Sequence, residues 1–262
     1  MKMLKRARRA LLVLLCSASF ANATVLTPNF SDLWWNPSES GWGLNISQQA
    51  DVMFLTLFVY GPNGQPVWYS ATLGLVTPQV GSGYVFTGDL YQTTGQFFGV
   101  PFNSSAVVLR KVGTVRFDSN TSATAALQYT VDGTSVNKQI ERQTLRANSI
   151  LGNYLGGTSD VTFDCQNPAR NGLRTEDPGP ISIVQSGSQM SITAPTCAFR
   201  GTYSQQGQIG RIEGGTYTCT NNATGIITFS DIYVEQSGII GKYSGRDSAC
   251  NFEGNIGGTR RK

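Results

Sequence analysis

The chain has no histidine among its 262 residues. That absence removes Ser-His-Asp and Cys-His nucleophilic catalysis and histidine-ligated zinc or copper. It also removes the side chain best suited to moving protons near neutral pH. Charge is sparse as well, with Asp, Glu, Lys and Arg together making up 14% of the residues. No glycine-rich phosphate loop, no D-x-D-x-D-G calcium loop and no C-x-x-C pair with zinc spacing occurs. Carboxylate chemistry survives these exclusions, but Asp32, Glu39, Asp51, Asp89, Asp132 and Glu141 form no local pair of the kind a glycosidase needs. Glu39 is expected to accept backbone N–H bonds within its loop. The chain therefore reads as a non-enzyme, with no catalytic residue, no metal site and no cofactor.

The N-terminus carries the features of a secretory signal peptide. Lys2, Lys5, Arg6, Arg8 and Arg9 precede an apolar stretch that starts at Ala10, and Ala21-Asn22-Ala23 is a small-residue cleavage site. The stretch is too short for a membrane-spanning helix of about 20 residues. Cys16 follows Leu15 rather than the small residue of a lipobox, so it belongs to the discarded segment. Residues 1–23 hold five of the 20 basic residues and none of the 16 acidic ones, which leaves 15 against 16 and a mature net charge of −1. Neither nucleic acid nor an anionic membrane surface is an expected partner. A secreted or periplasmic location follows, with no transmembrane segment after signal removal.

What is abundant points to strands. Thirty glycines, many Thr, Ser and Asn, and short runs of Val, Ile, Tyr and Phe between turn residues disfavour helices and favour antiparallel sheet. The expected fold is all-β, with two antiparallel domains, each an up-and-down barrel or a sandwich. Residues 24–147 contain all four tryptophans and no cysteine, whereas 148–262 contain four cysteines and no tryptophan. In the first part, residues 52–60 (VMFLTLFVY) form a continuous apolar run, the pattern of a strand covered on both faces. Gly61-Pro62-Asn63-Gly64 turns the chain into a partner strand at 67–73, where Trp68 and Tyr69 must face opposite ways. Further strands are expected at 84–91, 106–111, 113–118, 125–131 and 136–145, with a tight turn at Asp132-Gly133. Tyr91, Phe97 and Phe98 flank Thr93-Thr94-Gly95 and are expected to pack. A membrane barrel is disfavoured because most of these strands are short and carry polar residues on both faces.

The second part contains a repeat. Thr162-Phe163-Asp164-Cys165-Gln166-Asn167 matches Thr216-Tyr217-Thr218-Cys219-Thr220-Asn221, and Cys197-Ala198-Phe199-Arg200-Gly201 matches Cys250-Asn251-Phe252-Glu253-Gly254. An even cysteine count in an exported chain indicates disulfides, and four cysteines allow three connectivities. The repeat favours Cys165–Cys197 with Cys219–Cys250, one bridge per unit. Pairing like with like, Cys165–Cys219 with Cys197–Cys250, is the symmetric alternative.

Three of the four tryptophans fall in Trp34-Trp35-Asn36-Pro37-Ser38-Glu39-Ser40-Gly41-Trp42. So dense a cluster is either a hairpin plug that seals a barrel or a recognition surface. As a surface, Trp34, Trp35, Asn36, Glu39 and Trp42, joined by Trp68, would stack on a ligand and bond to it. The expected function is a non-catalytic binding protein for a glycan, a cell-envelope component or a small apolar ligand. A module that docks or inhibits another exported protein is the first alternative, and a carboxylate-dependent hydrolase the second.

The segment from Trp34 to Gly43 resembles the WWNPxESGWG signature of a family of secreted bacterial proteins without an assigned activity. Leu90-Tyr91-Gln92-Thr93-Thr94-Gly95 and Tyr129-Thr130-Val131-Asp132-Gly133, with Lys138, Ile140 and Arg142, are similar to the same family, as are the C-x-F-x-G repeats. The resemblance implies export from a Gram-negative bacterium. A weaker likeness to avidin-like and lipocalin-like barrels, with Leu33 where those have Gly, implies an architecture and no ligand.

Overall fold

The computed structural model describes residues 27–76, 83–119 and 121–261, so the signal segment expected at 1–23 lies outside the described residues. Two closed antiparallel barrels of eight strands each follow one another along the chain. The first comprises β1 (Asp32–Trp35), β2 (Gly43–Gln49), β3 (Val52–Tyr60), β4 (Pro66–Val76), β5 (Tyr84–Thr94), β6 (Val108–Ser119), β7 (Thr124–Val131) and β8 (Thr134–Arg142). The second comprises β9 (Gly152–Phe163), β10 (Arg174–Ser186), β11 (Gln189–Thr193), β12 (Cys197–Gln206), β13 (Ile209–Cys219), β14 (Thr224–Val234), β15 (Gly238–Arg246) and β16 (Asn251–Arg260). The separate strands expected at 106–111 and 113–118 are one strand, β6, which absorbs the irregularity in a register shift against Leu90 and Tyr91.

Each barrel is filled by the alternate side chains that point inward. Leu44, Met53, Leu55, Leu57, Leu73, Phe86, Leu90, Phe117 and Leu127 pack into one core, and Ile181, Ile183, Met190, Ile192, Phe229 and Val234 into the other. Several strands reach 11–13 residues, longer than expected. The interiors of both barrels are nevertheless packed with apolar side chains, unlike the polar interior of an outer-membrane barrel. No helix among the described residues is long and apolar enough to cross a membrane.

Both barrels close with the same device. In the first, Trp34 on β1 registers with Arg142 on β8, and the guanidinium lies 5.1 Å from the ring centroid. Trp34 Nε1 donates to the Phe30 carbonyl at 3.0 Å, while Arg142 donates to the carbonyls of Asn29 and Ser31 and pairs with Asp32 at 3.0 Å. In the second, Tyr154 registers with Arg260, again 5.1 Å from guanidinium to ring. The Tyr154 hydroxyl donates to the Ile150 carbonyl, and Arg260 donates to the carbonyls of Ser149 and Leu151. The aromatic fills the floor, its polar atom is satisfied by the residue four positions earlier, and the arginine ties the last strand to the incoming chain.

The disulfides are Cys165–Cys250 and Cys197–Cys219, which corrects both connectivities weighed from the repeat. The repeated stretches fall at the end of β9 and of β13, and at the start of β12 and of β16. Each repeat unit is thus a four-stranded half barrel. Its first and last strands are three strand spacings apart, about 14 Å, beyond the reach of a disulfide. Closure instead brings β12 beside β13, where Cys197 registers with Cys219, and β16 beside β9. The bridges therefore staple the two seams between halves.

Candidate functional site

The β1–β2, β3–β4, β5–β6 and β7–β8 connections gather at one end of the first barrel, opposite the floor built on Trp34. The residues expected to form one binding loop separate into three places. Trp34 is 1% exposed and belongs to the floor. Asn36 shapes the β1–β2 turn, its Oδ1 accepting from the Ser38 amide at 3.0 Å and the Ser38 hydroxyl at 2.7 Å. Gly41, with φ of 118°, completes that turn in a conformation that favours glycine.

Glu39 and Trp42 occupy the mouth. The Trp42 indole donates to Glu39 Oε2 at 3.0 Å, and Lys138 reaches Glu39 from β8 at 2.7 Å while lying 5.8 Å from the Trp42 ring. Glu39 accepts from these two side chains rather than from backbone amides as expected. Hydrogen bonding by Lys138 holds its carboxyl below the usual range, so it stays ionised and braces the loop. Asp132 is held low in the same way by Arg110, at 2.6 Å across the rim. Asp32 pairs with Arg142 and Asp89 with Lys111.

Trp35 and Trp68 lie on the outer wall. Trp34 registers with Leu44, which sets Trp35 level with Gly43; Gly43 registers with Phe58, and Phe58 with Trp68. One row across β1 to β4 therefore reads Trp35, Gly43, Phe58, Trp68. A Cβ on Gly43 would stand 3.1 Å from the Phe58 ring, so the glycine lets that ring lie down against the sheet. Trp68 is 50% exposed, Phe58 42%, Phe54 51% and Tyr60 60%. The run 52–60, expected to be covered on both faces, is thus covered on one: Met53, Leu55 and Leu57 face the core and the aromatics face water. Beside the aromatic row runs a polar one, in which Asn45 registers with Thr56 and Thr56 with Ser70.

Sequence reasoning missed Phe54, Phe58 and Tyr60, and it named Lys138 without giving it a role. Their signal was present, since Phe54, Phe58 and Tyr60 fall on alternate positions of β3 with Thr56 between them. The loop flanked by Tyr91 also departs from expectation. Phe97 and Phe98 are 64% and 94% exposed rather than packed, and Phe102 joins them on the β5–β6 connection. Among the described residues no group of His, Cys, Asp and Glu side chains is placed to hold a metal ion. No known protein family matches the chain, and no curated protein is significantly similar to it.

Proposed function

We propose that this chain is an exported, non-catalytic glycan-binding protein whose contact face is the aromatic row Trp35–Phe58–Trp68 on the outer wall of the first barrel. The observation that carries the reading is the pairing of that row with the polar row Asn45–Thr56–Ser70 alongside it. A pyranose ring has an apolar C–H face and an equatorial belt of hydroxyls. Aromatic faces remove the first from water, and neighbouring amide and hydroxyl side chains bond to the second. Three strand spacings separate Trp35 from Trp68, about 14 Å, which suits an oligosaccharide rather than a single sugar. A large exposed aromatic patch on a folded domain is itself a mark of an interaction surface.

The packed core of the first barrel favours a surface-bound ligand over a small apolar one enclosed in the lumen. The ion pairing of Asp32, Glu39, Asp89 and Asp132 with cations favours binding over carboxylate-dependent hydrolysis. Two disulfides accord with an oxidising compartment, and export remains part of this reading. The resemblance to secreted bacterial proteins makes a cell-envelope glycan the first candidate. Tryptophan fluorescence tests the reading: an envelope oligosaccharide should shift the emission of the wild type, and Trp68→Ala should abolish the shift. Flat emission across envelope oligosaccharides would refute it.

Docking to another exported protein has one observation in its favour, the exposed Phe97-Phe98 tip with Phe102. A partner retained by the wild type and lost on Phe98→Ser would move the assignment there.

A further inference from the structure

The two barrels differ at their open ends. In the first, Trp42, Val59, Val67, Tyr129 and Val131 pack against the core, whereas the second keeps a cavity of about 320 Å³ inside its rim, within the range of small-ligand sites. Its two sides have opposite chemistry. Four rings form one wall: Phe199 on β12, Tyr217 on β13, Tyr243 on β15 and Phe252 on β16. Tyr217 and Phe252 meet edge to face at 5.5 Å, and Tyr243 and Phe252 at 6.3 Å. Adjoining the rings, β9 and β10 contribute the carboxylates of Asp160 and Asp177, with Asp247 at the rim.

The cage is built rather than incidental. Tyr217 registers with Gly225, Tyr243 with Gly254 and Phe252 with Gly245. A Cβ at these glycines would stand 2.7, 2.7 and 2.4 Å from the respective rings, so each ring lies down on a glycine and is fixed in orientation. One disulfide borders the cavity, since Cys197 and Cys219 line it, and Cys250 of the other lies three residues after the rim residue Asp247. Asp177 is tied to Thr196 at 2.8 Å, and Asp247 accepts from the Ala249 and Cys250 amides at 2.7 Å. Asp160 accepts one hydrogen bond, from the Tyr243 hydroxyl at 3.1 Å, and no other among the described residues. Among the described residues that line it, Arg170 is the one basic residue, against three acidic ones. These carboxylates do not converge on a point that a metal ion could occupy.

We infer that this calyx binds a small organic cation, with an ammonium group set against the aromatic rings and neutralised by Asp160. A ring face attracts a cation through its quadrupole, and the attraction grows in a site shielded from water. An ammonium carried on carbon matches a diffuse arrangement of rings and one under-bonded carboxylate better than a neutral sugar does. The site is on the other barrel from the glycan face and stands independently of it.

Calorimetric titration of the intact oxidised protein tests the inference with two cations, choline and phenethylamine. The control is 3,3-dimethylbutan-1-ol, the neutral isostere of choline. At least one cation should bind saturably, and 3,3-dimethylbutan-1-ol at least about tenfold more weakly than choline if choline is the one bound. Asp160→Asn, which keeps the acceptor for Tyr243, should weaken the cation at least about tenfold, and Trp68→Ala should leave it unchanged. Absence of binding by both cations at millimolar concentration would overturn the inference. So would equal binding of choline and its neutral isostere, a comparison that needs no variant to fold.

Discussion

The guanidinium of Arg142 lies 5.1 Å from the ring centroid of Trp34, across the seam where β8 meets β1. The side chain of Arg142 is 4% exposed, and it also bonds to backbone carbonyls and to Asp32. Removing it leaves a partly buried carboxylate and several carbonyls without their donor. Arg142→Ala should cost about 3–5 kcal/mol in denaturant unfolding. Arg142→Lys should recover only part of that loss, because an ammonium cannot reproduce the planar fork.

The two bridges are expected to act on the second barrel. Peptide mapping of the oxidised protein should return Cys197–Cys219 and Cys165–Cys250 peptides. Loss of either bridge by Cys→Ser pairs should destabilise that barrel by about 3–5 kcal/mol in the loop-entropy account. The unfolding of the first barrel should stay where it was, which tryptophan emission can follow because all four tryptophans lie there.

Trp42 and Trp68 should separate stability from binding. Trp42 is half-buried, and its indole is spent on Glu39, so Trp42→Ala should cost about 2–3 kcal/mol. Trp68→Ala on the outer wall should cost less than about 1 kcal/mol while removing glycan binding. Equal losses of stability from the two would contradict the placement of Trp68.

Asp160 should carry a pH signature. Burial pushes its carboxyl above the usual range, and the Tyr243 hydrogen bond only partly offsets that shift. A raised folded-state pKa means that ionisation is harder in the folded protein than in the unfolded one. The penalty is absent below the unfolded pKa and complete above the folded one. Asp160→Asn should therefore raise the melting temperature at pH 7 and leave it unchanged at pH 3. A lower melting temperature at pH 7 would show that the ionised carboxylate stabilises the empty calyx.

Much of the architecture was legible because hairpin turns and period-two patterns are local. Gly61-Pro62-Asn63-Gly64 and Asp132-Gly133 turn the chain as expected, and Trp68 and Tyr69 fall on opposite faces. The disulfide pairing was not legible from the cysteine repeat alone. It depends on how many strands separate the two cysteines of a unit and on closure of the sheet, which is a long-range property. The outer aromatic row was hidden for a related reason. A run of apolar residues signals burial on both faces, and among the described residues no second layer covers β3, which leaves Phe54, Phe58 and Tyr60 in water. The calyx depends on glycine–aromatic registers between strands, such as Gly254 with Tyr243, that no linear spacing announces.

The most direct measurement is co-sedimentation of the intact protein with purified bacterial cell-wall glycan, comparing wild type with Phe58→Ala and Trp68→Ala. Retention of the wild type in the pellet, with release of both variants while they still unfold cooperatively well above the assay temperature, is the predicted result. Equal retention of all three, or failure of the wild type to sediment with any envelope glycan, would contradict the assignment of the Trp35–Phe58–Trp68 row as a glycan-binding face.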